Sequence, residues 1–235
     1  MLRLVRAAIA LRLAFRAERA RERGDYARAE CLLREALARG VGTGITLLEV
    51  KLSNDLGVVL KYRGKFREAT ACYLGALRAV RRGEATPDRL ARLYHNLGGL
   101  EHERGRHARG ALFAARALQI RERTLGPDHP ETAREVAALA ALLDGLGRHT
   151  EAEALHRRAV RIHAAGRTRA DRREKAFALA NLAACRHLAG ASSEGAMLAE
   201  CALATQIRLL GSSHPEVRRT RDNLARMRRS NRAGS

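Results

Sequence analysis

Small and apolar residues recur along the chain at fixed distances from five glycines. These are Gly24, Gly64, Gly105, Gly147 and Gly190, so that successive glycines stand 40, 41, 42 and 43 residues apart. An alanine stands twelve residues after each of them, an alanine or glycine stands five residues after and seven residues before each, and a leucine stands eight residues before four of them. A pattern with this period predicts a repeat architecture, in which one supersecondary unit is copied along the chain.

Each copy is predicted to be a hairpin of two helices. A glycine at the end of an apolar-periodic stretch can adopt the left-handed conformation that stops a helix and turns the chain. Tiny residues at fixed positions on both flanking helices allow their backbones to approach closely. We predict hairpins over residues 2–39, 45–82, 87–124, 130–165 and 170–209, and a lone capping helix over residues 215–229.

Three of the links between hairpins carry signals for the start of a helix. In each, a side-chain oxygen stands shortly before a proline, in Thr86-Pro87, Asp128-His129-Pro130 and Ser213-His214-Pro215. The oxygen can cap free backbone N–H groups, and proline suits the first helical position because its missing N–H is not needed there. The spacing from Ser213 to Glu216 predicts a capping box. We expect His129 and His214 to form local hydrogen bonds.

The composition agrees with a helical chain and adds a large positive charge. Aromatic residues make up only 3% of the sequence, and there are four prolines and four cysteines, too few for a disulfide scaffold. The 45 basic residues outnumber the 25 acidic ones and give a formal net charge of +20. Since the bases are almost all arginine, part of this skew reflects a GC-rich genome, but the shortage of acids still favours acidic partners.

The first residues are rich in arginine and initially free of acids, as organellar presequences are. Their longest uncharged run, Ala7 to Leu11, is too short for a signal-peptide core or a membrane span. Two apolar sides are predicted on a helical wheel, Leu4, Leu11 and Phe15 on one and Val5, Ile9 and Leu13 on the other. We therefore favour a first structural helix packed between neighbours over a presequence or a membrane anchor.

Several of these residues resemble a known repeat family, the tetratricopeptide repeat. The alanines around each glycine and the aromatic Tyr26 and Phe66 two residues after it match that repeat. The string from Leu125 to Ala133, followed by Gly147-Arg148, resembles the long variety of kinesin light chains and many bacterial proteins. The resemblance implies an all-α, right-handed α-solenoid of five hairpins with a C-terminal capping helix. It further implies one domain over residues 1–235, a cytoplasmic location and a bacterial source.

The resemblance also implies a concave groove lined by the first helix of each hairpin. Positions nine residues before each glycine should face it, together with bases one helical turn earlier. The predicted groove residues are Lys51, Asn54, Asp55, Arg92, Asn96, Arg134, Asn181, Arg219 and Asn223. An asparagine amide can bond to any peptide backbone, and arginine offers a planar fork of donors to a carboxylate. Alternatively, the asparagines bond between neighbouring helices and the bases form an ordinary solvated surface.

The function implied is a non-catalytic protein–protein interaction scaffold that binds an extended, acidic peptide. The groove matches the carboxylate clamp of chaperone cofactors only in part, so no chaperone partner follows. The alternative is nonspecific nucleic-acid binding through arginine clusters at residues 157–173 and 218–232. Such binding would depend strongly on salt, but the sequence offers few aromatic residues on which bases could stack.

No enzyme, cofactor, metal site or small-molecule substrate is predicted. His102 and His107 are separated by the turn at Gly105, so they share no helical face. Three further histidines, His149, His156 and His163, stand seven residues apart, roughly 10 Å along a helix, which is too far for joint metal ligation. The cysteines have no paired spacing, and we expect Cys31, Cys72 and Cys201 to be small buried hydrophobic residues.

Overall fold

The computed structural model describes residues 2–82 and 86–233, and these residues form helices joined by short links. No strand occurs among them, so the all-α prediction is confirmed. The eleven helices of the described residues are α1 Leu2–Glu22, α2 Tyr26–Gly40, α3 Thr46–Tyr62, α4 Phe66–Arg82, α5 Pro87–Glu103, α6 His107–Leu125, α7 Pro130–Gly145, α8 His149–Ala165, α9 Arg169–Leu188, α10 Ser192–Leu210 and α11 Pro215–Ala233.

The chain divides into two compact units, unit 1 (Met1–Arg104) and unit 2 (Gly105–Ser235). In unit 1, α1 pairs with α2 and α3 with α4, and α5 packs on α4. In unit 2, α6 packs on α7, α7 pairs with α8 and α9 with α10, and α11 packs on α10 and α9. Four predicted hairpins and the final packed helix are thus observed. The pairing of α5 with α6 stays a prediction, as does one domain over residues 1–235.

The five glycines that punctuate the sequence all lie in turns with positive φ. Their φ values run from 68° at Gly105 to 87° at Gly190. Residues with a Cβ rarely adopt this conformation, which explains why glycine stands at the same place in every copy. The prediction that these glycines end the first helix of each copy is confirmed.

The small residues of the repeat lie where two helix backbones approach each other. A Cβ added to Gly195 of α10 would lie 2.8 Å from the carbonyl oxygen of Ala183 in α9. A Cβ added to Gly57 of α3 would lie 2.6 Å from a ring carbon of Tyr73 in α4. The five alanines twelve residues after the turn glycines are all buried, with at most 1% exposure: Ala36, Ala76, Ala117, Ala159 and Ala202.

The helix caps differ from the prediction. At α7 the cap is the His129 ring, whose Nδ1 accepts a hydrogen bond from the Glu131 backbone N–H at 3.1 Å. His214 makes the same bond to Glu216 at 3.2 Å, so the two histidines bond locally as predicted. The predicted oxygen caps at Asp128 and Ser213 are wrong because an imidazole directly before the proline already occupies the cap position. Thr86 stands at the cap position of α5, but its side chain makes no cap hydrogen bond. A capping box does form, but at α9, between Thr168 and Asp171.

The first helix is confirmed, but it is packed on one side only. Leu13 and a row of alanines face α2, whereas Leu4, Leu11 and Phe15 are 70%, 51% and 64% exposed. Packing between neighbours on both sides is therefore wrong within the described part of unit 1, because α1 has α2 on one flank only and α3 touches it slightly. None of the described helices combines the length and apolar character needed to cross a bilayer.

The exposure of the cysteines also differs from the prediction. Cys31 and Cys201 are exposed and Cys72 is only half-buried. Cys31 stands two residues from both Ala29 and Leu33, which face the core of unit 1. Two residues correspond to about 200° around a helix, so its side chain points to the opposite face.

Candidate functional site

A cleft of about 360 Å³ lies within unit 1 between α3 and α5. Its polar lining comes from both helices: Lys51, Asn54, Asp55, Asp88, Arg89 and Arg92. Val50 and Leu93 add apolar surface. Four of the nine predicted groove residues therefore line one cleft, and a fifth, Asn96, bonds to one of them.

The repeat explains why these side chains meet. Helices α3 and α5 are the first helices of successive copies, so residues one period apart occupy corresponding places on them. Lys51 and Arg92 both stand thirteen residues before their turn glycine, and Asp55 and Asn96 both stand nine before it. Residues four apart lie on the same helix face, which brings both positions to the same cleft.

The two asparagines form a bond between the helices. Asn96 Nδ2 donates to Asn54 Oδ1 at 2.7 Å, and Asn54 Nδ2 donates to Asp55 Oδ1 at 3.3 Å. Asn96 therefore bonds between two helices, which was the alternative to a free amide facing the groove. The Asn96 side-chain oxygen Oδ1 accepts no hydrogen bond in the described residues.

The bases of the cleft are paired with acids of their own helices. Lys51 Nζ lies 2.5 Å from Asp55 Oδ2, and Arg92 Nη2 lies 3.2 Å from Asp88 Oδ2. The basic side chains are 42% and 62% exposed. Exposed pairs of this kind contribute about 0–1 kcal/mol, so another carboxylate can replace the acid at little cost.

The net charge of the cleft is small. Lys51, Arg89 and Arg92 stand against Asp55 and Asp88, which leaves one net positive charge. Asp55 was among the predicted groove residues, whereas Asp88, four residues before Arg92, was not. Arg89 was also missed, although it stands three residues before Arg92 and so shares its face.

The predicted residues of unit 2 are not brought together in the same way. Arg134 pairs with Glu131 at 3.1 Å, Arg219 pairs with Glu216 at 2.6 Å, and Asn223 Oδ1 accepts from Arg226 at 2.5 Å. Asn181 is half-buried, and its side chain makes no hydrogen bond among the described residues. No hydrogen bond or ion pair joins Arg134, Asn181, Arg219 and Asn223 to one another in the described part of unit 2.

Many arginines of the two basic clusters are likewise paired. Arg157 bonds to Glu153 at 2.7 Å, Arg158 to Glu122 at 2.7 Å and Arg228 to Glu200 at 2.8 Å. Their charge is partly neutralised, so these clusters are weaker attractors of phosphate than the sequence count indicates.

Comparison with known proteins identifies the repeat. Residues 89–165 match the family model of the tetratricopeptide repeat. This segment is similar in sequence to tetratricopeptide repeats. Such repeats generally mediate protein–protein interactions. No curated protein matches the sequence significantly.

Solved structures show the same tetratricopeptide repeat fold over most of the chain. BtubC (BKLC) from P. vanneervenii superposes with a TM-score of 0.75 at 22% identity, over 89% of this chain and 84% of that one. A putative kinesin light chain of Podosopora anserina with nearly identical TPR-like repeats gives 0.70 at 20% identity, over 84% and 95%. The tetratricopeptide repeat sensor-containing STAND protein PH0952 of Pyrococcus horikoshii gives 0.74 at 14% identity, over 90% and 31%. The predicted resemblance to kinesin-light-chain-like repeats and the predicted α-solenoid fold are confirmed.

Proposed function

We propose that this tetratricopeptide repeat protein is a non-catalytic interaction scaffold that binds an extended, acidic peptide in the cleft between α3 and α5. The observation that carries the proposal is the position of Lys51 and Arg92, on neighbouring helices and lining one cleft with Asn54. The partner class is a protein or peptide, and neither a membrane nor a small-molecule substrate is part of the proposal. The location proposed is the cytoplasm.

Binding requires the two bases to exchange partners. The peptide carboxylates take the places of Asp55 and Asp88 beside Lys51 and Arg92, at little cost because these pairs are exposed. Arginine can hold a carboxylate through two parallel N–H···O bonds, which adds orientation to the attraction. The Asn96 side-chain oxygen Oδ1, which accepts no bond in the described residues, is suited to receive a backbone N–H of the peptide. The predicted residues of unit 2, Arg134, Asn181, Arg219 and Asn223, keep the same proposed role and are tested separately.

The test measures the affinity of labelled peptides for the purified chain at physiological salt by fluorescence anisotropy. Three peptides of equal length are compared, one rich in Glu, one with Gln at the same positions and one rich in Lys. We expect the Glu peptide to bind and the other two to bind at least tenfold more weakly. Lys51→Glu/Arg92→Glu should weaken binding of the Glu peptide at least tenfold, about 1.4 kcal/mol.

The matched control reverses the same number of charges in unit 1 outside the cleft. Arg67→Glu/Arg78→Glu serves this purpose, since both side chains are exposed residues of α4. We expect this variant to change the affinity by no more than about twofold, as a long-range charge effect screened by salt. Unchanged binding in the cleft variant, or an equal loss in both variants, contradicts the proposal. Arg134→Glu/Arg219→Glu then reports on unit 2.

Nucleic-acid binding is the second candidate, favoured by exposed arginines of unit 2 that have no acidic partner among the described residues. Arg161, Arg167 and Arg172 are of this kind. The same assay with a labelled single-stranded oligonucleotide separates the two candidates. Affinity for the oligonucleotide that disappears between low and physiological salt is nonspecific attraction to phosphate. Binding of the oligonucleotide that persists at physiological salt and is lost in Arg161→Glu/Arg172→Glu supports nucleic-acid binding.

A further inference from the structure

Three helices of unit 2 bring a carboxylate, an imidazole and a thiol to one place. Asp144 is in α7, His156 in α8 and Cys185 in α9. One ligand atom of each lies within 4.8 Å of the others, and His156 Nε2 lies 3.0 Å from Asp144 Oδ2. The second carboxylate oxygen of Asp144 lies 3.0 Å from His149 Nδ1. These four residues are called the Asp144 cluster.

The Asp144 cluster is largely shielded from water. Cys185 is fully buried and packs against Leu143 and Ala152, and the His156 side chain is 2% exposed. Asp144 is the only polar partner of the His156 ring in the described residues, since its Nδ1 atom is buried without one. The His149 side chain is 26% exposed and leaves a route from solvent to the carboxylate.

The rest of the repeat shows that the fold does not need this set of side chains at these positions. Asp144, His149 and His156 stand three before, two after and nine after the turn glycine Gly147. The corresponding residues around Gly64 are Lys61, Phe66 and Tyr73. Cys185 stands five before its turn glycine, where the copy at Gly105 has the buried Leu100. No other pair of successive copies combines a carboxylate, two imidazoles and a thiol at these positions.

We propose that Asp144, His156 and Cys185 bind one Zn²⁺ ion and that His149 orients the Asp144 carboxylate. Nitrogen, oxygen and sulfur donors are the set that zinc takes in proteins, at about 2.0–2.3 Å and in tetrahedral geometry. Three protein ligands leave a fourth position for water. The hydrogen bond from His149 to the second oxygen is the kind of outer contact that fixes a ligating carboxylate.

Zinc binding changes the protonation of the ligands in a defined way. The bond from sulfur to zinc replaces the S–H bond of Cys185, and that proton goes to solvent. The neutral ring of His156 binds through Nε2 and carries its proton on Nδ1. The spacing of His149, His156 and His163 along one helix still excludes joint ligation of a metal by these three residues. The site proposed here instead takes one ligand from each of three helices.

The test uses the full chain without an affinity tag, freed of metal by a chelator and titrated with Co²⁺. A thiolate-to-cobalt charge-transfer absorption reports a bond to Cys185, and the intensity of the visible bands reports tetrahedral geometry. We expect both signals to saturate at one ion per chain and to disappear when Zn²⁺ is added. A wild-type chain without the charge-transfer absorption overturns the proposal.

Variants built from the chain's own repeat residues keep the test decisive. His156→Tyr and Cys185→Leu restore the residues of other copies, so both should retain helical circular dichroism. Cys185→Leu should abolish the charge-transfer absorption, and His156→Tyr should weaken Co²⁺ binding at least tenfold. His149→Phe should weaken binding about 10–100-fold while keeping the absorption.

The control is Cys72→Ser, which removes a half-buried thiol of unit 1 and should leave the titration unchanged. A charge-transfer absorption that persists in Cys185→Leu, or that Cys72→Ser removes, overturns the proposal. If His156→Tyr and Cys185→Leu both unfold, His149→Phe provides the remaining test, because His149 lies at the exposed edge of the Asp144 cluster. Unaltered affinity for Co²⁺ in that variant contradicts the role given to His149.

Discussion

Lys65 Nζ donates to both carboxylate oxygens of Glu30, at 2.8 and 3.1 Å, and so joins the residue before α4 to α2. Glu30 also accepts from Arg34 at 2.8 Å and from Arg63, while its own side chain is only 6% exposed. Burial acts to raise the pKa of Glu30, but the bonds from Lys65, Arg34 and Arg63 outweigh it and lower the pKa to about 2. A buried, ionised carboxylate thus joins α2 to the turn between α3 and α4.

Replacing Glu30 should weaken unit 1 in a pH-dependent way. Glu30→Gln removes the negative charge and one of the two acceptor oxygens that three bases share, so we expect the free energy of unfolding at pH 7 to fall by about 1–3 kcal/mol. Because the folded pKa is lowered from 4.5 to about 2, the contribution is complete above about pH 4.5 and is lost as the pH falls toward 2. Urea unfolding followed by circular dichroism at pH 7 and pH 3 should show a smaller difference between wild type and variant at pH 3.

The matched control for this prediction is Glu35→Gln on the same helix. Glu35 pairs with Arg39 at 3.1 Å, but its side chain is 49% exposed. We expect a change within about 0.5 kcal/mol at either pH, as for other surface pairs. An effect of Glu30→Gln no larger than that of Glu35→Gln would be incompatible with a structural role for the buried carboxylate.

Two glycines inside helices should respond oppositely to alanine. Gly57→Ala places a Cβ 2.6 Å from the Tyr73 ring, and we expect overpacking to cost about 1–3 kcal/mol. A Cβ added to Gly75 of α4 would meet no atom within 4 Å, so Gly75→Ala should gain about 0.5–1 kcal/mol from the loss of backbone freedom in the unfolded chain. Urea unfolding of both variants measures the difference, and two changes of equal sign would contradict the close approach of α3 and α4.

The buried hydroxyl of Tyr73 should be dispensable. It has no hydrogen-bond partner in the described residues, and burial raises the pKa of Tyr73. Tyr73→Phe removes an unsatisfied polar group without changing the ring, so we expect stability to rise by about 1 kcal/mol. Thermal and urea unfolding provide the measurement, with Tyr62→Phe, whose residue is 60% exposed, as the control that should change little. A loss of stability in Tyr73→Phe would reveal a bond to the hydroxyl.

The imidazole cap of α7 can be tested by exchange for a standard cap residue. His129→Ala removes the acceptor of the Glu131 N–H, which should cost about 0.5–2 kcal/mol. His129→Asp supplies an oxygen at the same position and should recover most of that loss. Unfolding of the two variants is compared under identical conditions. Equal stability of His129→Ala and wild type would rule out an energetic role for the cap.

The helices and their pairing could be predicted from the sequence because they follow from local, repeated features. The turn glycines Gly64 and Gly147 need positive φ, and tiny residues such as Gly195 and Ala183 mark where two backbones meet. Each signal recurs in every copy at the same distance from the turn glycine. A helix end that is ambiguous in one copy can therefore be placed by comparison with the other copies. The observed helices accordingly begin and end within a few residues of the predicted hairpins.

The details of the site could not be predicted in the same way, because they depend on contacts between helices. The row of bases is visible in the sequence, but the ion pair of Arg92 with Asp88 depends on which rotamer each side chain adopts. Likewise, Cys185 has no partner at metal-ligand spacing in the sequence. It meets Asp144 and His156 only because α7, α8 and α9 pack on one another.

The side-chain amide signals of Asn54 and Asn96 offer the most direct test of the proposed cleft. Nuclear magnetic resonance spectra of the isotope-labelled chain are recorded during titration with the Glu-rich peptide. Peptide binding in the cleft predicts saturable chemical-shift changes at both side-chain amides and at backbone amides of α3 and α5. The affinity obtained from these changes should equal the affinity measured by fluorescence anisotropy. Changes confined to α8, α9 and α11, with the two asparagine signals unmoved, would contradict peptide binding in the cleft.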